Sequence, residues 1–296
     1  MKKISEPWNE EEKLNWLNEQ TIKRSYKEEV IQKIDKLRDS FEVIQYGELS
    51  YDPKKYPLYL IKNKNFSDSK KNILITGGVH GYETSGVQGA LKFCELEALN
   101  YTSEFNFIIA PCLSPWGYET INRWNPYTVD PNRSFFKDGP SEECNLIMGQ
   151  IDSLKLDIYA HFDLHETTDT DNSVFRPALE KRDGIAQEVW DIPDGFYLVG
   201  DIENPTPEFQ KAIIDSVRKV THIAPADENG KIIGEKLAGE GIINYPIKTL
   251  NLCASFSGAK FCTTTEVYPD SDLVDDENCA LAQVAAVKGG LEYLLK

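Results

Sequence analysis

The sequence contains no run of about 18 consecutive apolar residues, the length a helix needs to cross a bilayer, so no membrane span is expected. Its first residues, MKKISEPWNEEEKLNW, pass from a short basic start directly to acidic side chains, without the apolar stretch of a secretory signal. There is no C-x-x-C pair. Cys94, Cys112, Cys144, Cys253, Cys262 and Cys279 stand singly, a pattern of buried reduced thiols rather than of a disulfide frame or a zinc knuckle, and a cytoplasmic protein is expected. Cations are scarce. Against 48 Asp and Glu there are 32 Lys and Arg, a net charge of -16 that argues against DNA, RNA or an anionic membrane as partner, because phosphates need neutralising. The simplest effect of that charge is solubility. No Pro-, Gly- or Ser-rich linker, internal repeat or low-complexity tract interrupts the chain. Residues 1–296 are therefore expected to form a single domain, with 1–40 as a helical segment packed on it.

What is present is a series of apolar segments with readable periods. Leu14, Trp16, Leu17, Val30, Ile31, Ile34 and Leu37 recur at helical spacing and predict one or two surface helices. FEVIQYGEL and YPLYLIKN flank a polar turn and predict a strand hairpin. NILITGGV reads as a buried strand ending in a sharp turn, followed by a helix over SGVQGALKFCELEAL. FNFIIAPCLSP and LDIYAHFDLHET add buried strands, and AKFCTTTEVY a late strand. Thr206, Pro207 and Glu208 open a helix with Phe209, Ile213, Val217 and Val220 on one face, and ENCALAQVAAVKGGLEYLL closes the chain as a buried helix. Strands alternating with helices predict an α/β layered fold.

In such sheets binding groups gather at the carboxyl ends of strands, and GGVHGYE, FDLHET and TTTEVY each place polar residues there. His80 and Glu83, three residues apart on a turn entering a helix, can face one ion, although a lone H-x-x-E is weak and His80 could instead bond a backbone carbonyl. His165 supplies a third donor, and two His with one Glu leave a fourth position for water, as in catalytic zinc sites. His161, deeper on the same strand, reads as a core histidine, and His222 as a surface histidine in the last turn of its helix. The loop SPWGYETINRWNPYTVDPNRSFF holds Arg123, Asp130, Asn132 and Arg133. A guanidinium beside an amide suits a carboxylate, and a second guanidinium near a metal could stabilise an oxyanion, although either Arg alone could be a loop salt bridge. Glu266 is a lone carboxylate among β-branched residues, either an edge-strand side chain facing solvent or a general base facing a cleft.

These segments, in this order, resemble the M14 zinc carboxypeptidase family over about three quarters of the chain. The resemblance implies a three-layer α/β/α fold with a central mixed, twisted β-sheet and one zinc ion per chain. His80, Glu83 and His165 would be its ligands, and Asp130 would orient the ring of His80. Asn132 and Arg133 would bind a terminal carboxylate, Arg123 would polarise the scissile carbonyl, Glu266 would be the base, and Tyr245 would be the tyrosine expected some twenty residues before it. The substrate would be a peptide or an amino-acid-derived small molecule. SPWGYE departs from the family's usual Asn-Pro-Asp-Gly, so Ser114 and Trp116 should alter the turn and the pocket wall, and residues 175–243 match nothing in the family. GGVHGYETSG and DLHET are also similar to the succinylglutamate desuccinylase and aspartoacylase branch, which implies an N-acyl amino acid deacylase as the alternative. A binding module that recognises peptide C-termini without cleaving them is the third.

Overall fold

The computed structural model describes residues 2–296. The chain begins with α1 (Glu10–Asn18) and α2 (Gln32–Lys36), followed by β1 (Phe41–Glu48) and β2 (Pro57–Asn63). β3 (Lys71–Gly77) leads into α3 (Thr84–Leu96), β4 (Phe105–Ala110) into α4 (Pro115–Thr120) and α5 (Glu142–Leu154), and β5 (Ile158–Glu166) into α6 (Arg176–Asp183). Then come β6 (Tyr197–Asp201), α7 (Pro207–Val217) and a small hairpin of β7 (Lys231–Ile232) with β8 (Glu235–Lys236). β9 (Ile242–Tyr245), α8 (Cys253–Phe256), β10 (Phe261–Val267) and α9 (Asp276–Leu294) complete the order.

Side-chain alternation explains the layers. In β3, Ile73 and Ile75 enter one core while Leu74 enters another, and in β4 Phe107 and Ile109 oppose Ile108, the period of two that a strand imposes. With both faces apolar, these strands need cover on each side. Val87, Ala90 and Leu91 of α3, Phe209 and Ile213 of α7 and Ala282, Ala286 and Leu291 of α9 pack in the first core. Cys144, Ile147 and Ile151 of α5 pack in the second. The result is a three-layer α/β/α architecture around a central mixed sheet ordered β1-β2-β4-β3-β5-β10-β6-β9. β4, β3, β5 and β10 run parallel as neighbours, and antiparallel pairing joins β1 to β2, β2 to β4 and β10 to β6.

Among the described residues no helix is long and apolar enough to cross a membrane. The N-terminal periodicity gives less helix than its length promised: α1 buries no residue, and a π-helical turn at Lys27–Ile31 precedes the short α2. α7 ends at Val217, so His222 lies beyond the helix rather than in its last turn, where its Nε2 sits 2.8 Å from Asp194 Oδ1.

Candidate active site

The parallel strands bring three carboxyl ends to one edge. Gly77 at the end of β3 pairs with Leu164 of β5, and Glu266 of β10 pairs with His165. The turn after β3 carries His80 and Glu83 and lies hard against the start of α4. A Cβ on Gly81 would stand 2.1 Å from the Gly117 carbonyl carbon, a separation only glycine avoids. Gly86 likewise lets α3 descend onto β5, since a Cβ there would meet the Leu164 carbonyl oxygen at 2.2 Å. Arg24, between α1 and α2, fastens the same turn. Its Nη1 donates to Thr84 Oγ1 at 2.6 Å, its Nη2 to the Gly81 carbonyl at 2.8 Å and its Nε to the Tyr118 carbonyl at 2.6 Å.

His80 Nδ1 lies 2.7 Å from Glu83 Oε1, and His165 Nδ1 lies 2.7 Å from Glu83 Oε2. Donor atoms of the three residues all fall within 4.8 Å of one another. On the far side of each ring stands a buried carboxylate: Asp130 Oδ1 is 2.9 Å from His80 Nε2, and Asp163 Oδ2 is 2.8 Å from His165 Nε2. A proton donated from Nε2 leaves the Nδ1 lone pair facing Glu83, the orientation a metal ligand needs.

The chemistry of this set fits a divalent metal such as zinc. Glu83, Asp130 and Asp163 are all buried, and apart from the imidazoles the only cation at ion-pair distance among the described residues is Arg123, its Nε 3.1 Å from Asp130 Oδ2. Two negative charges remain for the imidazoles or a bound cation to compensate, since an interior tolerates such charges only when they are matched. Glu83 Oε2 is buried yet receives no hydrogen bond, although His165 Nδ1 is close. Burial by itself would raise the Glu83 carboxyl, but the imidazoles of His165 and His80 hold it at about 2. Burial opposes a positive charge on His165, and Asp163 and Glu83 overcome it, raising its pKa well above the ordinary histidine range. The pocket thus draws positive charge to the point between the rings.

Behind it, His161, Asp163 and Cys253 also converge, but the Thr76 hydroxyl stands among them. Thr76 Oγ1 donates to Asp163 Oδ1 at 2.7 Å and lies 2.9 Å from His161 Nε2 and 3.4 Å from Cys253 Sγ. That cluster is a hydrogen-bonded support for Asp163, and His161 is fully buried within it.

Arg123, Asn132, Arg133, Tyr245 and Glu266 line the same cavity as His80, Glu83 and His165, a space of about 260 Å³. Glu266 lies on an internal strand between β5 and β6, not at an edge, and its Oε2 accepts a hydrogen bond from Thr167 Oγ1 at 3.0 Å. Burial pushes its carboxyl up to about 8, against the imidazole of His165 and with the help of Glu83. A divalent cation beside it would pull that value down. Arg123 Nη1 is 3.7 Å from Asp171 Oδ1, so two carboxylates position this guanidinium. Asn132 accepts the Cys253 N–H through Oδ1 at 2.8 Å, which turns its amide nitrogen away from the protein's own acceptors. Arg133 donates from Nη1 to the Asn132 carbonyl at 2.7 Å and, among the described residues, has no carboxylate partner.

Trp116 does not reach the pocket wall. Its ring packs on Trp16 with centroids 6.0 Å apart, and Ser114 Oγ donates to the Val79 carbonyl at 2.7 Å. Asp163, Asp171, Thr167, Glu166 and Arg24 carry weight that the sequence reading did not assign. Asp163 was readable, because residues two apart on a strand share a face and it precedes His165 by two. Glu166, whose carboxylate accepts the Thr84 N–H at 3.0 Å at the start of α3, follows the same strand. Asp171 follows His165 by six residues at the start of a π-helical turn, and Arg24 reaches the site from an irregular segment far along the chain and leaves no local signal.

No family model matches this chain, and no curated protein matches it. Solved structures do. A candidate metallopeptidase from Shewanella amazonensis SB2B is 18% identical, with a TM-score of 0.65 over 89% of this chain and 90% of that one. A metallo-carboxypeptidase from Burkholderia cenocepacia is 16% identical, with a TM-score of 0.58 over 97% of this chain and 69% of that one. Bovine thrombin-activatable fibrinolysis inhibitor is 13% identical, with a TM-score of 0.60 over 95% of this chain and 99% of that one. At these identities the likeness is one of fold: the chain has a carboxypeptidase-like α/β/α fold, with a His/Glu/His cluster able to hold a divalent metal at the carboxyl edge of its sheet.

Proposed function

We propose that the chain is a zinc-dependent metallocarboxypeptidase of the M14 type that hydrolyses the C-terminal amide bond of a peptide. The observation that carries this reading is the convergence of His80 Nδ1, the Glu83 carboxylate and His165 Nδ1 in a cavity that also holds Glu266, Arg123, Asn132 and Arg133. His80, Glu83 and His165 would hold the ion, with Asp130 and Asp163 fixing the two rings. Zinc would supply Lewis acidity toward water and the scissile carbonyl. The Asn132 amide nitrogen and the Arg133 guanidinium bind the terminal carboxylate and set the register of the peptide. Arg123, held by Asp130 and Asp171, presents its guanidinium to the carbonyl oxygen as negative charge develops there. Glu266 has Oε2 occupied by Thr167, so Oε1 takes the proton from the attacking water and delivers it to the leaving amine nitrogen. The Tyr245 hydroxyl closes over the bound residue. The six cysteines are free and buried, which supports a reducing, cytoplasmic setting.

The small cavity favours one second reading. A space of about 260 Å³ suits a substrate of amino-acid or dipeptide size, so an N-acyl amino acid is the alternative to a longer peptide. Elemental analysis together with hydrolysis of short peptides and of acetyl- and succinyl-amino acids tests both. One zinc per chain and release of a free C-terminal residue is the expected result, and zinc-loaded protein inert toward every member of the panel would overturn the hydrolase assignment.

A further inference from the structure

The outer wall of the cavity is built by the stretch that resembles nothing in the family, and it brings a third guanidinium. Arg176, the first residue of α6, lines the cavity beside Leu179 and opposite Arg133 and Tyr245. It is a fixed side chain. Its Nη1 donates to Asn172 Oδ1 at 2.5 Å and to the Asp191 carbonyl at 3.1 Å. The helix that carries it is tied down at its far end, where Arg182 Nη1 donates to the Thr128 carbonyl at 2.9 Å and Ile4 N–H donates to the Gly184 carbonyl at 2.8 Å.

The carboxylates of the cavity are engaged elsewhere and leave Arg176, among the described residues, without an anionic partner. Arg123 is matched by Asp130 and Asp171, Glu166 is taken by the N–H groups of Thr84 and Ser85, and Glu266 is held by Thr167. Arg133 and Arg176 have no carboxylate partner among the described residues, and both lie near enough to Tyr245 to favour its ionised form. Val189, Ile233 and Leu179 line the cavity along with Arg176, so the guanidinium shares an otherwise apolar stretch of wall, where a charge-assisted bond is strong.

Resting on the metallohydrolase reading above, we infer that the preferred substrate is a dianion of amino-acid to dipeptide size, one carboxylate on Asn132 and Arg133 and a second on Arg176. Two positions satisfy this chemistry, an acidic side chain on the released residue and a carboxylate on the acyl half.

Four compounds separate them: Ala-Glu against Ala-Gln for the released side, and succinyl-alanine against its terminal amide for the acyl side. The zinc-loaded full chain should prefer one acid over its matched amide by about tenfold or more in kcat/KM, chiefly through KM, as expected for a charge-assisted bond. In Arg176→Gln that preference should collapse toward unity, and Arg176→Lys should restore part of it. Equal rates within both pairs would refute the role of Arg176 while leaving the hydrolase reading standing. If none of the four is cleaved, calorimetric binding of the same compounds to Glu266→Gln protein still decides. Tighter binding of an acid than of its amide, lost on adding Arg176→Gln, supports the dianion site without the hydrolase reading, and equal binding overturns it.

Discussion

Replacing Asp163 by Asn should weaken zinc without unfolding the protein. Asp163 is fully buried, accepts Thr76 Oγ1 at 2.7 Å and holds His165 Nε2 at 2.8 Å. Asparagine keeps the shape and one carbonyl oxygen for the ring but removes the negative charge. Loss of such a partner costs about 10- to 100-fold in metal affinity, or about 1.4 to 2.7 kcal/mol. Bound metal stabilises a fold by the logarithm of its concentration over its dissociation constant, so at saturating zinc the variant should lose that amount beyond what the apo-protein loses. For 296 residues the unfolding entropy is about 0.6 kcal/mol per degree, which makes the loss about 2 to 4 °C in Tm. Without metal Asp163 still pairs with the His165 imidazole, whose pKa is raised, so the apo-protein should lose stability too, but less than the holo-protein by that amount. Thermal melts with and without zinc, beside a chelator-competition titration, measure both. Unchanged zinc affinity, or an apo-protein destabilised as much as the holo-protein, would refute the reasoning.

Other perturbations follow from the same geometry. Glu266→Gln should cut turnover by at least about 100-fold while one zinc still binds, measured by peptide hydrolysis and elemental analysis. Arg24→Ala removes two hydrogen bonds to the turn that carries His80 and Glu83, at Gly81 and Thr84, and a third that ties it to Tyr118 of α4, and should weaken zinc by about tenfold in the same competition titration. Gly81→Ala forces a Cβ to within 2.1 Å of the Gly117 backbone and should cost several kcal/mol, of the order of about 3 or more, by denaturant unfolding. Buried His161 has its pKa lowered to about 4 by burial, against the pull of Asp163. Since its unfolded value is about 6.5, the unfolded chain takes the proton first, so stability present above about pH 6.5 should fall by up to about 3 kcal/mol as pH drops toward 4. His161→Gln should flatten that part of the stability profile.

The legible parts of the fold were those whose own residues decide them. β3, β4 and β5 announce themselves through apolar segments, β10 through its β-branched threonines, and α9 through apolar residues on most of its sides. The hairpin of β1 and β2 was readable from its alternation about a polar turn. α5 was passed over although Ser141 caps it and Cys144, Ile147 and Ile151 give it a buried stripe, a signal that helical spacing carries. β6 and β9 have only five and four residues and depend on pairing with each other and with β10, which local sequence does not encode.

For the site, Glu83 and His80 share a turn and could be paired on spacing alone, but the approach of His165 depends on the register of β3 with β5. The partner of each ring divides the same way. Asp163 shares a strand face with His165, whereas Asp130 reaches His80 across 50 residues of chain and came only from the family resemblance. Trp116 illustrates the reverse: a departure in the motif looked like a change in the pocket, yet its ring is spent on Trp16 in the core.

The most direct test of the central claim is zinc X-ray absorption on the full chain loaded at one equivalent. Two imidazole nitrogens with carboxylate and water oxygens, no sulfur, and loss of the imidazole signal together with tight binding in His80→Ala are the predicted results. Sulfur scattering, which would place the ion at the His161, Asp163 and Cys253 cluster, or undiminished binding in His80→Ala, would contradict it.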